Sequence, residues 1–523
     1  MRNKIVPMSA AADMIHSGCT LASTGFSVAG VAEEVLETVA ERFRTTGQPR
    51  DLTVLHAAGQ GDWRGNGLDR LGFEGLIRRI IGGHFSSSPK IGALIGENRI
   101  QAYNFPQGVM VHLYQAIARR EVGEITKVGL GTFLDPRLSG GRMNSGTRED
   151  LIRLVQLEGQ EWMLYPSMKI DVAVMRGTTA DEIGNITMED EAMFLESLSL
   201  AQAARASGGK VIVQVKNVAK AGTLPPRLVR IPCTMVDAVV VCSDPQKYHR
   251  QICETYQSPV FAGHLRVPMQ SLSTLPLDEK KVIARRAILE LQPHAVVNLG
   301  IGAPEAVAAV AAEEGIIEKI TLTVESGAVG GMPSGGANFG VATNQWAMID
   351  HIQQFDFYDS GGLDATFLGM AEADQQGNVN VSQFGNKVIG VGGFTNISQN
   401  TRHVIFCGRF TGGKSRIEIG NGRVNIVQDG TEKKFVSQVR QITFSGAYAS
   451  KNGQRVLYVT ERCVFELRDG RLVLTEVAPG VDLEKDILSR MDFRPEIPRP
   501  PKLMNAAFFQ AAPTGLLRSW LEK

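Results

Sequence analysis

The sequence has few cysteines, and none of them are clustered. Six cysteines are scattered over 523 residues with no C-x-x-C pair, and the nine histidines form no H-E-x-x-H or H-x-H motif. These absences give no indication of a disulfide framework or of a zinc site. We therefore expect the cysteines to be buried as small apolar side chains and the protein to work in a reducing cytoplasm.

The chain also lacks a long apolar run and an excess of charge of either sign. No stretch approaches the roughly 18 apolar residues of a membrane span, and the opening MRNKIVPMSAAADMIHSG lacks the apolar core of a signal peptide. Lys plus Arg number 55 and Asp plus Glu number 54, so the net charge is +1. This balance provides no whole-chain attraction to nucleic acid or to acidic membranes, and we expect neither as a partner.

Glycine, by contrast, is abundant. The 56 glycines make up about 11% of the chain, against roughly 7% in an average protein. Proline is not raised with it, and no Gly-X-Y period is present, so a collagen-like or linker array is excluded. The excess therefore needs a local explanation.

Comparison of the chain with itself indicates an internal duplication. DVAVMRGTTADEIGN (171–185) and DATFLGMAEADQQGN (364–378) share five identities at an offset of 193. At an offset of 270, DLTVL (51–55) matches TLTVE (321–325). The change from 270 to 193 implies an insertion of about 77 residues in the first half, around 83–160.

Both halves open with a strand, a glycine turn and a helix, as TLAST (20–24) and AVVNLG (295–300) illustrate. This order of elements favours a layered α/β structure with largely parallel sheets. We predict two homologous open α/β/α domains, at 1–242 and 281–523, joined by a proline-punctuated connection at 243–280.

The end of the chain has a different pattern. VLYVTERCVFELRDGRLVLTEVAPG alternates apolar and polar residues on both sides of Asp469-Gly470, which predicts a β-hairpin with its turn at that pair. PEIPRPPK (495–502) predicts an extended, polyproline-like segment.

Glu325 is the most conspicuous candidate for chemistry. The alternation in TLTVE predicts a strand that ends near Glu325, and Ser326, Gly327 and Ala328 then leave little side-chain bulk around the carboxylate. The carboxyl edge of such a strand is where open α/β sheets bind ligands. The aligned residue of the first half is Leu55, so the repeated fold does not require an acid here. The alternative is a solvated or ion-paired glutamate.

A second glycine cluster lies in KVIGVGGFTNIS (387–398). Gly390, Gly392 and Gly393 allow close backbone approach, and their amides could donate to an oxyanion. The counterpart SLSLAQA (197–203) has no glycine, so the second half is again the specialised one. The cluster does not match the G-x-G-x-x-G dinucleotide fingerprint, which disfavours a nicotinamide dehydrogenase. A tight turn without chemistry is the alternative.

In these motifs and several others, the sequence resembles the family I CoA-transferases over nearly its whole length. The resemblance is greatest to the short-chain acyl-CoA:acetate (acetate/propionate) type, which is related to succinyl-CoA:3-ketoacid CoA-transferase. The motifs that carry it are VESGAVGG (324–331), GVGGF (390–394), NFPQG (104–108), the paired A-D-x-x-G-N repeats and YVTERCVFEL with LTEVAPGVDLEKDIL (458–487).

The resemblance implies that Glu325 is the nucleophile of a CoA-transferase, passing through an acyl-glutamyl anhydride and a glutamyl-CoA thioester. Coenzyme A is then a substrate, and no metal or other cofactor is expected. The Gly393 amide is the predicted oxyanion donor, and an amide of the LGIGAPE turn is its predicted partner; this turn precedes a helix, which favours the anionic groups of CoA. The predicted residues that bind CoA or substrate are Gly300, Ile301, Gly302, Ala303, Pro304, Gly392, Gln107 and Lys414.

Two other functions stay open. Hydrolysis of acyl-CoA at the same site differs only in whether water reaches one intermediate. A non-catalytic protein that binds sugar phosphates on a similar scaffold is the other alternative, because fold does not fix function. The resemblance further implies short-chain carboxylic acids as partners and a homodimer or homotetramer.

Overall fold

The computed structural model describes residues 3–268, 275–385 and 387–521. The predicted connection, 243–280, includes residues 269–274, which lie outside the described residues. The described part of the connection contains one short helix, Pro245–Tyr248, and the helix Glu279–Ala287 begins the second half.

The first half is built on a seven-stranded parallel sheet. Its strands, in spatial order, are Ala238–Val241, Lys210–Val215, Val172–Arg176, Thr20–Ser23, Leu52–His56, Ile77–Gly82 and Gln101–Asn104. Central strands such as Val172–Arg176 are buried along their whole length. Continuous burial of this kind is typical of parallel sheets covered by helices on both faces.

The second half is built on a ten-stranded sheet with a parallel centre and antiparallel flanks. Its strands, in spatial order, are Ala347–Met348, Ala328–Val329, Thr321–Thr323, Val296–Leu299, Ala365–Gly369, His403–Cys407, Arg455–Val459, Cys463–Arg468, Arg471–Val477 and Lys502–Leu503.

The two sheets share a core of five strands in the same order. When these five strands are numbered in chain order, they lie side by side in the order 5-4-3-1-2 in both sheets. The prediction of two α/β units with largely parallel sheets is thus confirmed, while the bounds 1–242 and 281–523 stay a prediction. The two sheets differ beyond the shared core: the first continues with Ile77–Gly82 and Gln101–Asn104, and the second with short antiparallel strands.

Helices cover the sheets. The α-helices of the described residues are Met8–Ala12, Glu33–Thr46, Pro89–Gly96, Gln107–Ala118, Ser197–Ala206, Pro245–Tyr248, Glu279–Ala287, Ala306–Glu313, His351–Asp359, Phe394–Asn400 and Gly446–Lys451. Glu33–Thr46 shows why such segments are helical. Its apolar side chains recur at helical spacing and are buried, two glutamates occupy the positive N-terminal turn, and Gly47 ends the helix in a left-handed conformation (φ 71°).

Smaller sheets complete each half. They are formed by Gly123–Thr126, Arg153–Leu157 and Gln160–Pro166; by Thr179–Asp181, Ile186–Thr187, Asn217–Ala219 and Val229–Ile231; and by the pairs Met332–Pro333 with Ala342–Thr343, Glu372–Ala373 with Val379–Asn380, Gln383–Phe384 with Lys387–Val388, Thr411–Gly412 with Glu432–Lys433 and Arg416–Gly420 with Arg423–Gln428.

The A-D-x-x-G-N repeats form the same turn twice. The Asp181 carboxylate accepts hydrogen bonds from the backbone and side-chain amides of Asn185, and Asp374 does the same with Asn378. Both turns join antiparallel strands. The interpretation of these repeats as structural hairpin turns is confirmed.

The predicted hairpin near the end of the chain is also confirmed. Asp469 and Gly470 both have positive φ, 50° and 74°, between Cys463–Arg468 and Arg471–Val477. The predicted extended segment 495–502 runs along the edge of this sheet, where Glu496 bridges Val473 and the strand Lys502–Leu503 begins. Its prolines lie at a sheet edge, where no hydrogen bond of the β-ladder requires the N–H group that proline lacks.

The six cysteines are free, and five of them are buried. Burial raises the pKa of the thiols at Cys19, Cys242, Cys253, Cys407 and Cys463. They pack as small apolar side chains, as the sequence predicts.

Backbone and side-chain hydrogen bonds join the two halves around Asn104. Its amide group donates to the carbonyls of Gly82 and Gly83, both at 2.7 Å. Its carbonyl oxygen accepts the N–H of Val391, in the second half, at 2.9 Å. The Gly392 N–H donates to the Gly83 carbonyl at 2.7 Å. Asn104 thus fixes the loop around 390–393 against the first half.

We expect Asn104→Ala to destabilise the protein by about 1–3 kcal/mol, because it leaves the buried Val391 N–H without an acceptor. The free energy of unfolding in urea measures the loss. Asn452→Ala, which removes one exposed amide-to-carbonyl bond, is the control and should change stability by less than about 0.5 kcal/mol. Equal stabilities of the two variants would contradict this account of Asn104.

Candidate active site

A cavity of about 490 Å³ lies between the two halves, at the carboxyl ends of parallel strands from both sheets. Carboxyl edges are where open α/β sheets bind ligands, because the loops that follow the strands converge there. The residues that line it are Phe26, Ser27, Gly59, Trp63, His84, Ser86, Ser87, Gln107, Gly300, Ile301, Glu325, Phe339, Leu368, Gly369, Met370, Ala371, Val381, Phe384, Ile389, Gly390, Val391, Gly392, Gly393, Phe394 and Ile397.

Glu325 follows the strand Thr321–Thr323 in a tight turn. The Val324 N–H donates to the Ala328 carbonyl at 2.9 Å, and the Gly327 N–H returns to the Val324 carbonyl at 3.0 Å. Gly327 has φ +116°, and a Cβ there would lie 2.0 Å from the Ile349 carbonyl oxygen. Only glycine fits this position. The small residues predicted around the acid thus let the turn close and present Glu325 to the cavity.

Burial controls the charge of Glu325. Removal from water raises the pKa of the Glu325 carboxyl to about 7, and a hydrogen bond from the Gln107 side chain partly opposes the rise. No basic side chain of the described residues makes an ion pair with Glu325. A carboxylate without a cation keeps its electron density available, which suits a nucleophile that works near neutral pH.

Gly393 stands directly beside this carboxyl group. A Cβ on Gly393 would lie 3.3 Å from Glu325 Cδ and 3.1 Å from Phe355 Cζ, closer than ordinary packing allows. Gly393 precedes the helix Phe394–Asn400, and its N–H donates to no acceptor within the described ranges. An unengaged amide next to a carboxyl carbon can stabilise an oxyanion that forms there.

Gln107 reaches Glu325 from the first half. It is the first residue of the helix Gln107–Ala118, and its backbone N–H donates to the Gly392 carbonyl at 2.9 Å. Its side-chain Nε2 lies 2.7 Å from Nε2 of His351. The structure therefore brings three predicted site residues, Gln107, Gly392 and Gly393, together around Glu325.

The turn at 300–304 reaches the cavity only in part. Gly300 and Ile301 line it, but the Gly300 N–H is bonded to the Phe367 carbonyl at 2.8 Å. Gly302, Ala303 and Pro304 lie outside the lining, the last two in a short 3-10 helix, Ala303–Glu305. The second oxyanion donor predicted in this turn stays a prediction.

Lys414 is not brought to this site. It is exposed on the loop between the strands Thr411–Gly412 and Arg416–Gly420 and does not line the cavity. Its predicted role in holding CoA phosphates stays a prediction.

Sequence reasoning missed most of the cavity wall. Gly59 and Trp63 belong to GQGDWRGNG, which the sequence indicates only as a structural loop, yet both line the cavity. Phe26, His84 and Phe339 were also missed. One signal could have found the Trp63 loop: it follows the strand Leu52–His56, the duplicate of the strand before Glu325.

No group of three or more His, Cys, Asp or Glu side chains in the described chain is arranged to hold a metal ion. Within the same residues, no helix has the length and apolar character needed to cross a membrane.

Comparison with known proteins agrees with the geometry. The family model for coenzyme A transferase matches residues 6–242. The chain is 47% identical to caffeate CoA-transferase of Acetobacterium woodii over 98% of both chains. It is 42% identical to acetate CoA-transferase YdiF of Escherichia coli (strain K12) over 93% of this chain and 91% of that one.

Solved structures agree as well. The apoenzyme of the acyl-CoA transferase YdiF from Escherichia coli O157:H7 superposes with a TM-score of 0.92 at 40% identity, covering 98% of both chains. Its thioester complex with CoA superposes with a TM-score of 0.90 at 40% identity and the same coverage. Mouse succinyl-CoA:3-ketoacid coenzyme A transferase 2B is a distant relative, 23% identical over 76% of this chain and 75% of its own. The chain belongs to the coenzyme A transferase family and is a CoA-transferase.

Proposed function

We propose that this CoA-transferase moves CoA between an acyl-CoA and a free carboxylate through covalent intermediates on Glu325. The observation that carries the proposal is the placement of one half-buried, cation-free carboxyl group beside the unengaged amide of Gly393. The YdiF structure described as a thioester complex with CoA supports the same chemistry.

The reaction balances without a metal or redox cofactor. A Glu325 carboxylate oxygen attacks the thioester carbonyl, the C–S bond breaks, and an acyl-glutamyl anhydride and CoA thiolate result. The thiolate then attacks the glutamyl carbonyl and the anhydride C–O bond breaks. This step releases the first carboxylic acid and forms a glutamyl-CoA thioester. An incoming carboxylate attacks that thioester and expels the thiolate, which then takes the new acyl group and regenerates Glu325.

Each addition creates an oxyanion close to Glu325. The Gly393 N–H is free to donate to it, and the Gln107 amide group approaches the same carboxyl from the other half. One such preorganised donor contributes about 2.7–4 kcal/mol to the transition state.

Short-chain acyl-CoA and acetate are the substrates we propose first, by similarity to the acetate CoA-transferases. A larger acyl group is a second candidate. Phe26, Phe339 and Trp63 line the cavity, and flat aromatic walls suit a planar acyl group. The relationship to a caffeate CoA-transferase supports testing it.

Hydrolysis is the competing reaction at this site. Water that reached the glutamyl-CoA thioester would release CoA and leave no transfer product. Leu368, Met370, Val391 and Ile397 give one wall of the cavity an apolar surface, which favours transfer.

The proposal also includes a cytoplasmic location and assembly as a homodimer or homotetramer.

Incubation with acetyl-CoA and no acceptor should increase the mass of the protein by that of CoA minus water, and peptide mapping should locate the adduct at Glu325. Glu325→Ala should form no adduct and lose transfer activity. Glu318→Ala, a change to an exposed glutamate outside the cavity lining, is the control and should keep both. Full turnover in Glu325→Ala would contradict the mechanism.

The kcat/KM for acyl-CoA should fall as the pH falls through about 7. Only ionised Glu325 attacks, and burial raises the pKa of its carboxyl to about 7, so activity is present above that pH and lost below it. Initial rates from pH 5 to 9 at constant ionic strength measure the profile. A midpoint near 4.5, the ordinary value for a glutamate, would contradict this description of the site.

A further inference from the structure

A line of buried side chains extends from the cavity into the contact between the halves. Gln107 Nε2 lies 2.7 Å from His351 Nε2, and His351 Nδ1 lies 2.8 Å from Glu196 Oε2. All three side chains are buried: the residues are 2%, 0% and 1% exposed. Gln107 and Glu196 belong to the first half and His351 to the second. The line therefore joins Glu325 to a second carboxylate deep in the interface.

The partners of His351 determine the direction of every hydrogen bond in this line. An ionised Glu196 can only accept, so His351 Nδ1 carries the proton and donates. His351 Nε2 is then left with a lone pair and accepts an N–H from Gln107. Gln107 consequently turns its NH₂ group toward His351, and the second N–H of that group is available to Glu325.

The opposite arrangement would harm the site. An imidazole with its proton on Nε2 would require the amide oxygen of Gln107 instead, and that oxygen would then face the Glu325 carboxylate. Two acceptors would oppose each other in a buried position, where an unpaired polar group is costly.

The backbone that presents Glu196 is held in an uncommon conformation. Leu195 has φ 55°, which is unfavourable for a bulky side chain and persists where surrounding contacts enforce it. The Leu195 carbonyl accepts the His351 N–H at 3.1 Å, and its side chain fills the space left by Gly30. Both the backbone and the side chain of His351 are thus fixed from residues 195 and 196.

We infer that Glu196 and His351 are positioning residues: they set the histidine tautomer and the amide orientation that make Gln107 a donor to Glu325 and to the oxyanion formed on it. The inference rests on the proposed function of Glu325. Glu196 and His351 do not line the cavity and act through Gln107.

Other titratable groups near this line include Asp350, the residue before His351, which forms an ion pair with Arg230. Tyr358 stands near Glu325, on the helix that begins with His351, and His84 lines the facing wall. Tyr114 stands near Glu196, and burial next to that carboxylate raises the pKa of its phenol. Burial lowers the pKa of His84 to about 4, and it raises the pKa of Tyr358. These shifts keep His84, Tyr114 and Tyr358 in one protonation state between pH 5 and 9, whereas the pKa of Glu325, about 7, falls within that range.

The first test is Glu196→Gln, which preserves shape. Its amide can donate to His351 Nδ1, which moves the imidazole proton to Nε2 and turns the Gln107 oxygen toward Glu325. We expect kcat to fall about 100-fold, the range for one lost donor, with KM for acyl-CoA within about threefold. The acidic limb of kcat/KM should move to higher pH, because the ionised form of Glu325 loses its donor.

The second test compares two replacements of His351. In His351→Gln, a side-chain oxygen can still accept from Gln107, whereas His351→Leu offers no acceptor. We expect His351→Gln to keep at least tenfold more kcat than His351→Leu. A purely structural role for His351 would not produce this rescue, so equal kcat values in two folded variants would overturn the inference.

Glu290→Gln is the matched control. Glu290 and His403 form another carboxylate–histidine contact, 3.6 Å long, at the amino ends of the strands of the second sheet, and Glu290 also pairs there with Arg286 and Arg455. Its kcat and pH profile should equal those of the unmodified enzyme. An unmodified profile in Glu196→Gln, with Glu325→Ala inactive, would overturn this inference alone. Full transfer by Glu325→Ala would instead overturn the proposed function.

Discussion

The site depends on the hydrogen bonds that join the loop 389–393 of the second half to the first half. The Gly392 N–H donates to Gly83, and the Gly392 carbonyl accepts from the backbone of Gln107. Because these groups are engaged, the next amide, that of Gly393, is the one left free beside Glu325. In the proposed mechanism, one half of the duplication supplies the nucleophile, and the other fixes the backbone that stabilises its intermediates. Neither half would form the site alone.

The same contact suits a half-buried carboxylate that acts as the nucleophile in the proposed mechanism. A cation beside Glu325 would stabilise its charge, but it would also weaken its attack on a thioester. The structure offers an amide donor instead, and burial raises the pKa of the carboxyl to about 7. Fully buried charges elsewhere in the protein are neutralised by an ion pair, as Arg176 is by Glu191 at 2.6 Å.

The sequence predicts what is local or repeated. The duplication predicts two homologous α/β units, and Glu325 and Gly393 become candidates because they depart from their counterparts in the first half. Interactions between distant positions leave no such signal. His351 lies 155 residues from Glu196 and 244 from Gln107, and nothing in the neighbouring letters marks it. Likewise, the cavity walls combine loops of both halves, so their residues appear only once the halves are docked.

The most direct test of the central claim is a crystal structure of the enzyme after incubation with acyl-CoA. We predict continuous density from Glu325 Cδ to the CoA sulfur. The glutamyl carbonyl oxygen should lie about 2.7–3.1 Å from the Gly393 nitrogen, the distance expected of an oxyanion donor, with the Gln107 amide group beside it. Bound CoA with an unmodified Glu325, or a thioester oxygen turned away from Gly393, would contradict the account.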